Sequence, residues 1–555
     1  MLLRIITVVA VLALCSCDEG EWKEVRIAQG VLRGRKDPDG PYTFYNIPYA
    51  TAPTGPDRYK APLPAPVWSQ PRDAIDEEVI CFQGENAFVS LGLMKEDCLI
   101  ANVFVPDTEE INLPVMVYVH GGAFEFGSGN WMSFKHLVRE KNVIVVTFNY
   151  RLGVHGFLCL GTQDAPGNAG MKDQVALLKW VQKNIAHFGG DPDDVTILGG
   201  SAGSISVSLL MLSKSAEGLF TKVVPESGVS VSTISTQIDP IETAKNYARM
   251  LNFHDVDDIY ALEAFYKNTP IESLVIATFF DIKNISLIFH PCIERQTDEE
   301  AFLTESPINI IKNGKYKKVP VLVGVSNMEG ILQMMNYERW KNGMNEKFSD
   351  FLPADLQFES EKEKEEIAQK IKEFYFKGKP VGDESVLEYV EYFGDVMFAY
   401  PTLRTVSLLV ENGHYQIYLY EYSFVDEHTA VVPYTNVRGA THCAQSMAIV
   451  DGMAIPFVTT DENNLTAEYK RIKAIMRDIW YNFAVHGKPV PEGSPLPAWP
   501  ATDATGSPYI SLGREIDLRH SFWKKSASLW DKLYQMYYRE PRAPPQPPKK
   551  DRTEL

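Results

Sequence analysis

Asp194 to Leu212 reads DVTILGGSAGSISVSLLML, and this stretch decides the fold. Val195 to Leu198 is a short apolar, β-prone run suited to a buried strand, and from Ala202 onward small and apolar residues permit a helix. Gly199-Gly200-Ser201-Ala202-Gly203 therefore falls on a tight strand-to-helix turn. Glycines two positions either side of Ser201 let strand and helix backbones approach, and the turn pushes the serine hydroxyl outward. Gly-x-Ser-x-Gly alone arises by chance in roughly one chain in six of this length, so its surroundings decide the matter.

Working outward, strand and helix patterns alternate. The sequence predicts strands over 115–119, 143–150, 195–198, 222–225, 319–325 and 415–422, and helices over 174–188, 467–485 and 527–538. This alternation, with near-continuous apolar strands, predicts an α/β fold: a mostly parallel sheet covered by helices on both faces. Runs 25–31 and 42–47 read as an antiparallel edge, and the proline-rich FYNIPYATAPTGPDRYKAPLPAPVW as a long ordered connection. Long inserts over 229–319 and 331–414 carry helical patterning and are large enough to lid a pocket.

The chain has 555 residues, a formal charge of -18 and a pI near 5.2. Such an acidic balance argues against a nucleic-acid or anionic-membrane partner. Residues 1–17, apolar after Arg4, read as a signal peptide, and no later apolar run is long enough to span a membrane. Residues 18–540 read as one catalytic domain and 541–555 as an extended, solvated proline-rich and charged tail ending in RTEL, similar to a luminal retrieval signal. Secretion or retention in the endoplasmic-reticulum lumen is the expected address. Asn284 and Asn464 stand in glycosylation sequons. Of the five cysteines past the leader, Cys81 and Cys98 form the natural bridge in an oxidising compartment. Cys159, Cys292 and Cys443 are odd in number, so at least one is expected to be a buried free thiol.

A serine hydroxyl needs a positioned base, a group that orients the base, and donors for a developing oxyanion. In elbow-type enzymes the acid and the base follow the serine in that order. Glu329, in SNMEG after the apolar run VPVLVGV, is the acid candidate, with Asp281 as competitor. His442, in RGATHCAQS, is preferred as the base over His414, His428 and His486. HGGAF, from His120 to Phe124, follows a predicted strand, and its amides together with that of Ala202 would supply the donors. No metal or organic cofactor is implied.

The pieces FYNIPYATAPTG, EDCLIANVFVP, VYVHGGAF, NYRLGVHGFL, GNAGMKDQVALLKWVQKNIAHFGGDPDDVTILGGSAGS, VGVSNMEG, RGATH and WYNFAVHGKP together resemble the type-B carboxylesterase/lipase family, related to cholinesterases and juvenile hormone esterases. The resemblance implies an α/β-hydrolase fold and a serine esterase acting on small, apolar carboxylic esters. It implies Ser201, Glu329 and His442 as the triad and Gly122, Ala123 and Ala202 as oxyanion donors. It also implies Cys81 with Cys98 as the first family disulfide, and Ser206 as a serine that holds the acid and base. Three features depart from the pattern. Gly200 replaces the Glu, Gln or His usual before the nucleophile, Gln445 replaces an acidic residue three positions after the histidine, and Cys292 has no evident partner for a second bridge.

Overall fold

The computed structural model describes residues 21–38, 40–75, 79–84, 93–275, 285–453 and 465–548. The leader, Asp281, Asn284, Asn464 and the RTEL end lie outside the described residues. No helix among those described is long and apolar enough to cross a membrane.

One twisted sheet carries the chain. In sequence order its main strands are β1 (Trp22–Ile27), β2 (Gly30–Lys36), β3 (Tyr42–Pro48), β4 (Ile100–Val105), β5 (Leu113–Val119), β6 (Ile144–Phe148), β7 (Gly190–Gly200), β8 (Lys222–Glu226), β9 (Val321–Ser326), β10 (Ile417–Tyr422), β11 (Tyr509–Leu512) and β12 (Ile516–Arg519), and the short strand Arg72–Asp73 pairs parallel to β2. They lie in the order β1-β2-β3-β4-β6-β5-β7-β8-β9-β10-β11-β12. Strands from β6 through β5 to β11 run parallel, flanked by antiparallel strands at both edges. Alternate residues enter opposite cores, because successive side chains of a strand point to opposite faces. Val115, Val117 and Val119 join one cluster, and Met116 and Tyr118 the other.

Register aligns the carboxyl ends of the strands. Val119 pairs with Gly199, Gly200 with Glu226, Glu226 with Gly324, and Ser326 with Tyr422. The segments after β5, β7, β8, β9 and β10 therefore emerge along one edge, where open α/β sheets place their chemistry.

The disulfides are Cys81–Cys98 and Cys159–Cys292. The second corrects the expectation that Cys292 lacks a partner. Its cysteines stand 133 positions apart, so sequence proximity gives no sign of the pairing. The Asn168 side chain brings them together by donating to Cys292 O and accepting from Cys292 N, both at 2.8 Å. Cys443 is the free thiol among the described residues, half-buried rather than buried. The tail also differs from expectation. Pro541 and Pro544 are buried against the body, and Tyr260 donates to Pro548 O at 2.6 Å.

Candidate active site

Ser201 sits between β7 and helix α2 (Ala202–Leu212), which follows the earlier helix α1 (Ala169–Asn184). Its backbone is at φ 59° and ψ -124°, a region costly for a residue with a side chain and concentrated at functional sites. Two anchors hold it there: Ser201 N donates to Glu226 O at 2.9 Å, and Ile205 N donates to Ser201 O at 3.0 Å. Glycine is obligatory at 203, since a Cβ there would lie 2.0 Å from Val119 O.

HGGAF turns sharply after β5. Gly122, Ala123 and Phe124 have φ of 105°, 55° and 60°. Gly122 O accepts from Glu125 N at 2.9 Å and Phe126 N at 3.0 Å, and Phe124 O accepts from Gly153 N at 2.7 Å. His120 stacks on Tyr150 with centroids 4.3 Å apart and contacts Gly121 O through Nδ1 at 2.8 Å. Burial lowers the pKa of this imidazole to about 4, so it is neutral. The loop presses on the elbow: a Cβ at Gly121 would lie 3.0 Å from that of Ser201. Among the described residues, the amides of Gly122, Ala123 and Ala202 are engaged by no hydrogen bond.

Glu329 lies just past β9 and is 1% exposed. Its Oε2 faces His442 Nδ1 at 2.6 Å. The other oxygen accepts from Ser326 N at 2.7 Å and Ser227 Oγ at 2.5 Å. The loops carrying Glu329 and His442 are stitched together, Ala440 N donating to Asn327 Oδ1 at 3.0 Å and Met328 N to Ala440 O at 3.1 Å.

His442 packs against Phe398 at 4.4 Å between centroids. Phe398 stands in a π-helical turn, Asp395–Ala399, inside the second insert. Among the described residues, Nε2 makes its polar contact with Cys443 Sγ at 3.5 Å. Burial works to lower the imidazole's affinity for protons, but the Cys443 sulfur and the Glu329 carboxylate outweigh it and hold the pKa well above the usual 6.5. The rival histidines are otherwise placed. His414 is buried against Val319 O at 2.6 Å and Tyr316 OH at 3.2 Å, and His486 ends the helix Ala467–His486.

Ser206 is a correction. Its hydroxyl accepts from Gln174 Nε2 at 3.2 Å and donates to Met171 Sδ at 3.8 Å, and it touches neither acid nor base. It lies on the second turn of α2, which runs away from the sheet edge. The serine against Glu329 is Ser227, just past β8. Gln445 holds it in turn, donating to Ser227 Oγ at 2.6 Å and accepting from Ser326 Oγ at 2.6 Å. The signal for Ser227 lay in ESG at the carboxyl end of an apolar strand, the same logic that selects Glu329. The neighbouring Glu226 is fully buried and accepts from Tyr420 OH, from Ser446 Oγ at 2.5 Å and from Trp480 Nε1 at 3.1 Å. Burial raises its pKa to about 7 against those donors.

A strained serine at the carboxyl edge of a parallel sheet, between a strand and a helix, is the arrangement of the α/β-hydrolase fold. The chain belongs to the carboxylesterase family, whose model matches residues 21–530, and it is a carboxylic ester hydrolase. A juvenile hormone esterase of Tribolium castaneum is 32% identical over 479 residues, covering 81% of this chain and 80% of its own length. A para-nitrobenzyl esterase of Bacillus subtilis is 31% identical over 507 residues, 88% of this chain and 95% of its own. The crystal structure of a juvenile hormone esterase from Manduca sexta, with OTFP covalently attached, superposes with a TM-score of 0.82 at 28% identity. That match covers 93% of this chain and 100% of the other.

Proposed function

We propose that ester hydrolysis here runs through an acyl-enzyme on Ser201, with His442 as base and Glu329 as the group that orients it. The observation that carries this reading is the 2.6 Å contact of Glu329 Oε2 with His442 Nδ1, joined to the strained positive-φ backbone of Ser201 at the same sheet edge. As Ser201 Oγ attacks the ester carbonyl, Nε2 turns from Cys443 to take the hydroxyl proton, a contact that commonly tightens only with substrate bound. Glu329 balances the charge on the ring, and the amides of Gly122, Ala123 and Ala202 receive the oxyanion. Collapse expels the alcohol with the proton from His442. Water activated by the same histidine then releases the carboxylic acid. Phe398 against the base supports an apolar ester as substrate.

The test is twofold: stoichiometric organophosphate labelling that Ser201→Ala abolishes, and loss of aryl-ester turnover in that variant. Near-normal turnover by Ser201→Ala would sink the mechanism. A narrow hormone-type esterase is the second reading, supported by the similarity to the Manduca sexta structure. A panel of short aryl esters against long isoprenoid and fatty-acyl esters separates the two. Passage through the secretory pathway is supported by the two disulfides. Its check is an N-glycosidase mass shift that Asn284→Gln with Asn464→Gln removes.

A further inference from the structure

Glu226 closes β8 at the middle of the sheet, its backbone paired with Gly200 on one side and Gly324 on the other. Its carbonyl holds the elbow, because Ser201 N donates to Glu226 O at 2.9 Å. Its side chain is fully buried and faces away from Glu329, on the side of Tyr420 and Trp480. Oε1 accepts from Tyr420 OH and from Trp480 Nε1 at 3.1 Å, and Oε2 accepts from Ser446 Oγ at 2.5 Å. A carboxylate offers two oxygens with about four lone-pair sites, so one group serves donors from three separate elements.

The Ser446 contact bears on the chemistry. Ser446 stands on the short helix Ala444–Met447, one residue past His442 and Cys443. The helix is tied directly back to the segment that carries His442: Ala444 N donates to Thr441 O at 3.0 Å, and Met447 N to Cys443 O at 3.1 Å. A helix this short has no stability of its own, so its side chains must set its orientation. Two neighbouring ones do so, Gln445 donating to Ser227 Oγ at 2.6 Å and Ser446 to Glu226 Oε2. One anchor would leave the helix a pivot. Two anchors, at consecutive positions on both partners, remove it.

We propose that Glu226 is a positioning residue for ester hydrolysis, its carboxylate fixing the His442 segment through Ser446 while its own carbonyl fixes the Ser201 elbow. One residue thereby sets the separation of the two groups that exchange a proton. The inference rests on His442 acting as base toward Ser201. Glu226 touches neither substrate nor the transferred proton. A misplacement of about 1 Å between reacting groups can cost on the order of 100-fold in rate, and a helix free to turn about Gln445 permits part of that.

Aryl-ester hydrolysis by the full chain tests the proposal, with active sites counted by organophosphate titration and Tm recorded beside it. Ser446→Ala removes a single hydroxyl and should lower kcat per titrated site about tenfold with KM changed by less than about twofold. Phosphorylation of Ser201 should slow in the same proportion. Glu226→Ala should show the same split, and Glu226→Gln should recover most of the lost kcat, since its amide can donate to Ser446 Oγ while its oxygen accepts from Tyr420 and Trp480. Ser446→Ala combined with Glu226→Ala should lose no more kcat than Glu226→Ala alone, because both remove one contact. A merely structural role gives the opposite pattern, a lower Tm and fewer titratable sites with kcat per site unchanged in Ser446→Ala, and that result overturns the proposal. A parent that the organophosphate does not label overturns the serine mechanism and this proposal with it, whereas a labelled parent with unchanged kcat in Ser446→Ala overturns the proposal alone.

Discussion

Gln445 donates to Ser227 through Nε2 at 2.6 Å, and Ser227 donates to the same Glu329 carboxylate that faces the imidazole. The amide thus fixes the hydroxyl, and the hydroxyl fixes the acid. Gln445→Ala leaves Ser227 without its donor and Ser326 Oγ without its acceptor. A loss of roughly 1–2 kcal/mol in holding the acid corresponds to about a tenfold fall in kcat. KM should barely move, since Gln445 is fully buried behind the acid. An unchanged kcat would show that the amide holds nothing.

Cys443 is one of two neighbours that raise the proton affinity of His442 against its burial. Burial alone would lower the imidazole's pKa, while the Cys443 sulfur and Glu329 raise it. A base is active only when neutral, so a raised pKa moves the acidic limb of kcat/KM to higher pH. Cys443→Ala removes one raising influence and should move that limb to lower pH with the alkaline plateau retained. A pH-rate profile of parent and variant checks this, and coincident limbs would reject it.

Much of this site is legible in the sequence because it sits on strand ends. Apolar runs ending in glycine, serine or glutamate mark the carboxyl edge, and the spacing from HGGAF to Ser201, Glu329 and His442 follows strand by strand. What sequence could not supply depends on approach between distant loops. The Cys159–Cys292 bridge needs the Asn168 clasp, and Phe398 reaches His442 from an insert whose side-chain directions no periodicity reveals. Ser206 misled for a related reason: helical spacing from Ser201 carries it one turn away from the edge, whereas Ser227 stays on it.

Glu226 makes stability depend on pH. Its folded pKa of about 7 exceeds the usual 4.5, because burial penalises the carboxylate. The contribution to stability is full below the unfolded value and is lost as pH rises through the folded one, about 3 kcal/mol in all. Glu226→Gln should abolish that loss, since the amide oxygen still accepts from Tyr420 and Trp480 and the Ser446 hydroxyl can turn to accept. Melting curves should show the variant gaining on the parent between about pH 5 and pH 8. A constant gap would refute the assignment.

The two disulfides should differ in worth. Cys81–Cys98 closes 17 positions and Cys159–Cys292 closes 133. On the chain-entropy model the short loop contributes about 3 kcal/mol and the long one about 5 kcal/mol. Replacing both Cys159 and Cys292 by alanine should therefore lower Tm further than replacing Cys81 and Cys98. The reverse order in thermal melts would mean that local strain, not loop closure, governs.

Gly200 and Cys443 share one space. A Cβ at 200 would lie 3.3 Å from Cys443 Sγ, 3.1 Å from Ser446 Oγ and 3.2 Å from Tyr118 OH. Position 200 lies in β7, outside the left-handed positions of the chain, so its backbone admits a side chain and the neighbours are what exclude one. The thiol thus stands against the flank of the elbow, on the side where a larger residue at 200 would project. Gly200→Ala alone should cost about 1–3 kcal/mol by overpacking. In a Cys443→Gly background the same substitution should cost less, because one of the three neighbours within 3.3 Å is gone. A double-mutant cycle from denaturant melts measures this coupling, and additive costs would show that Ser446 and Tyr118, not Cys443, keep position 200 a glycine.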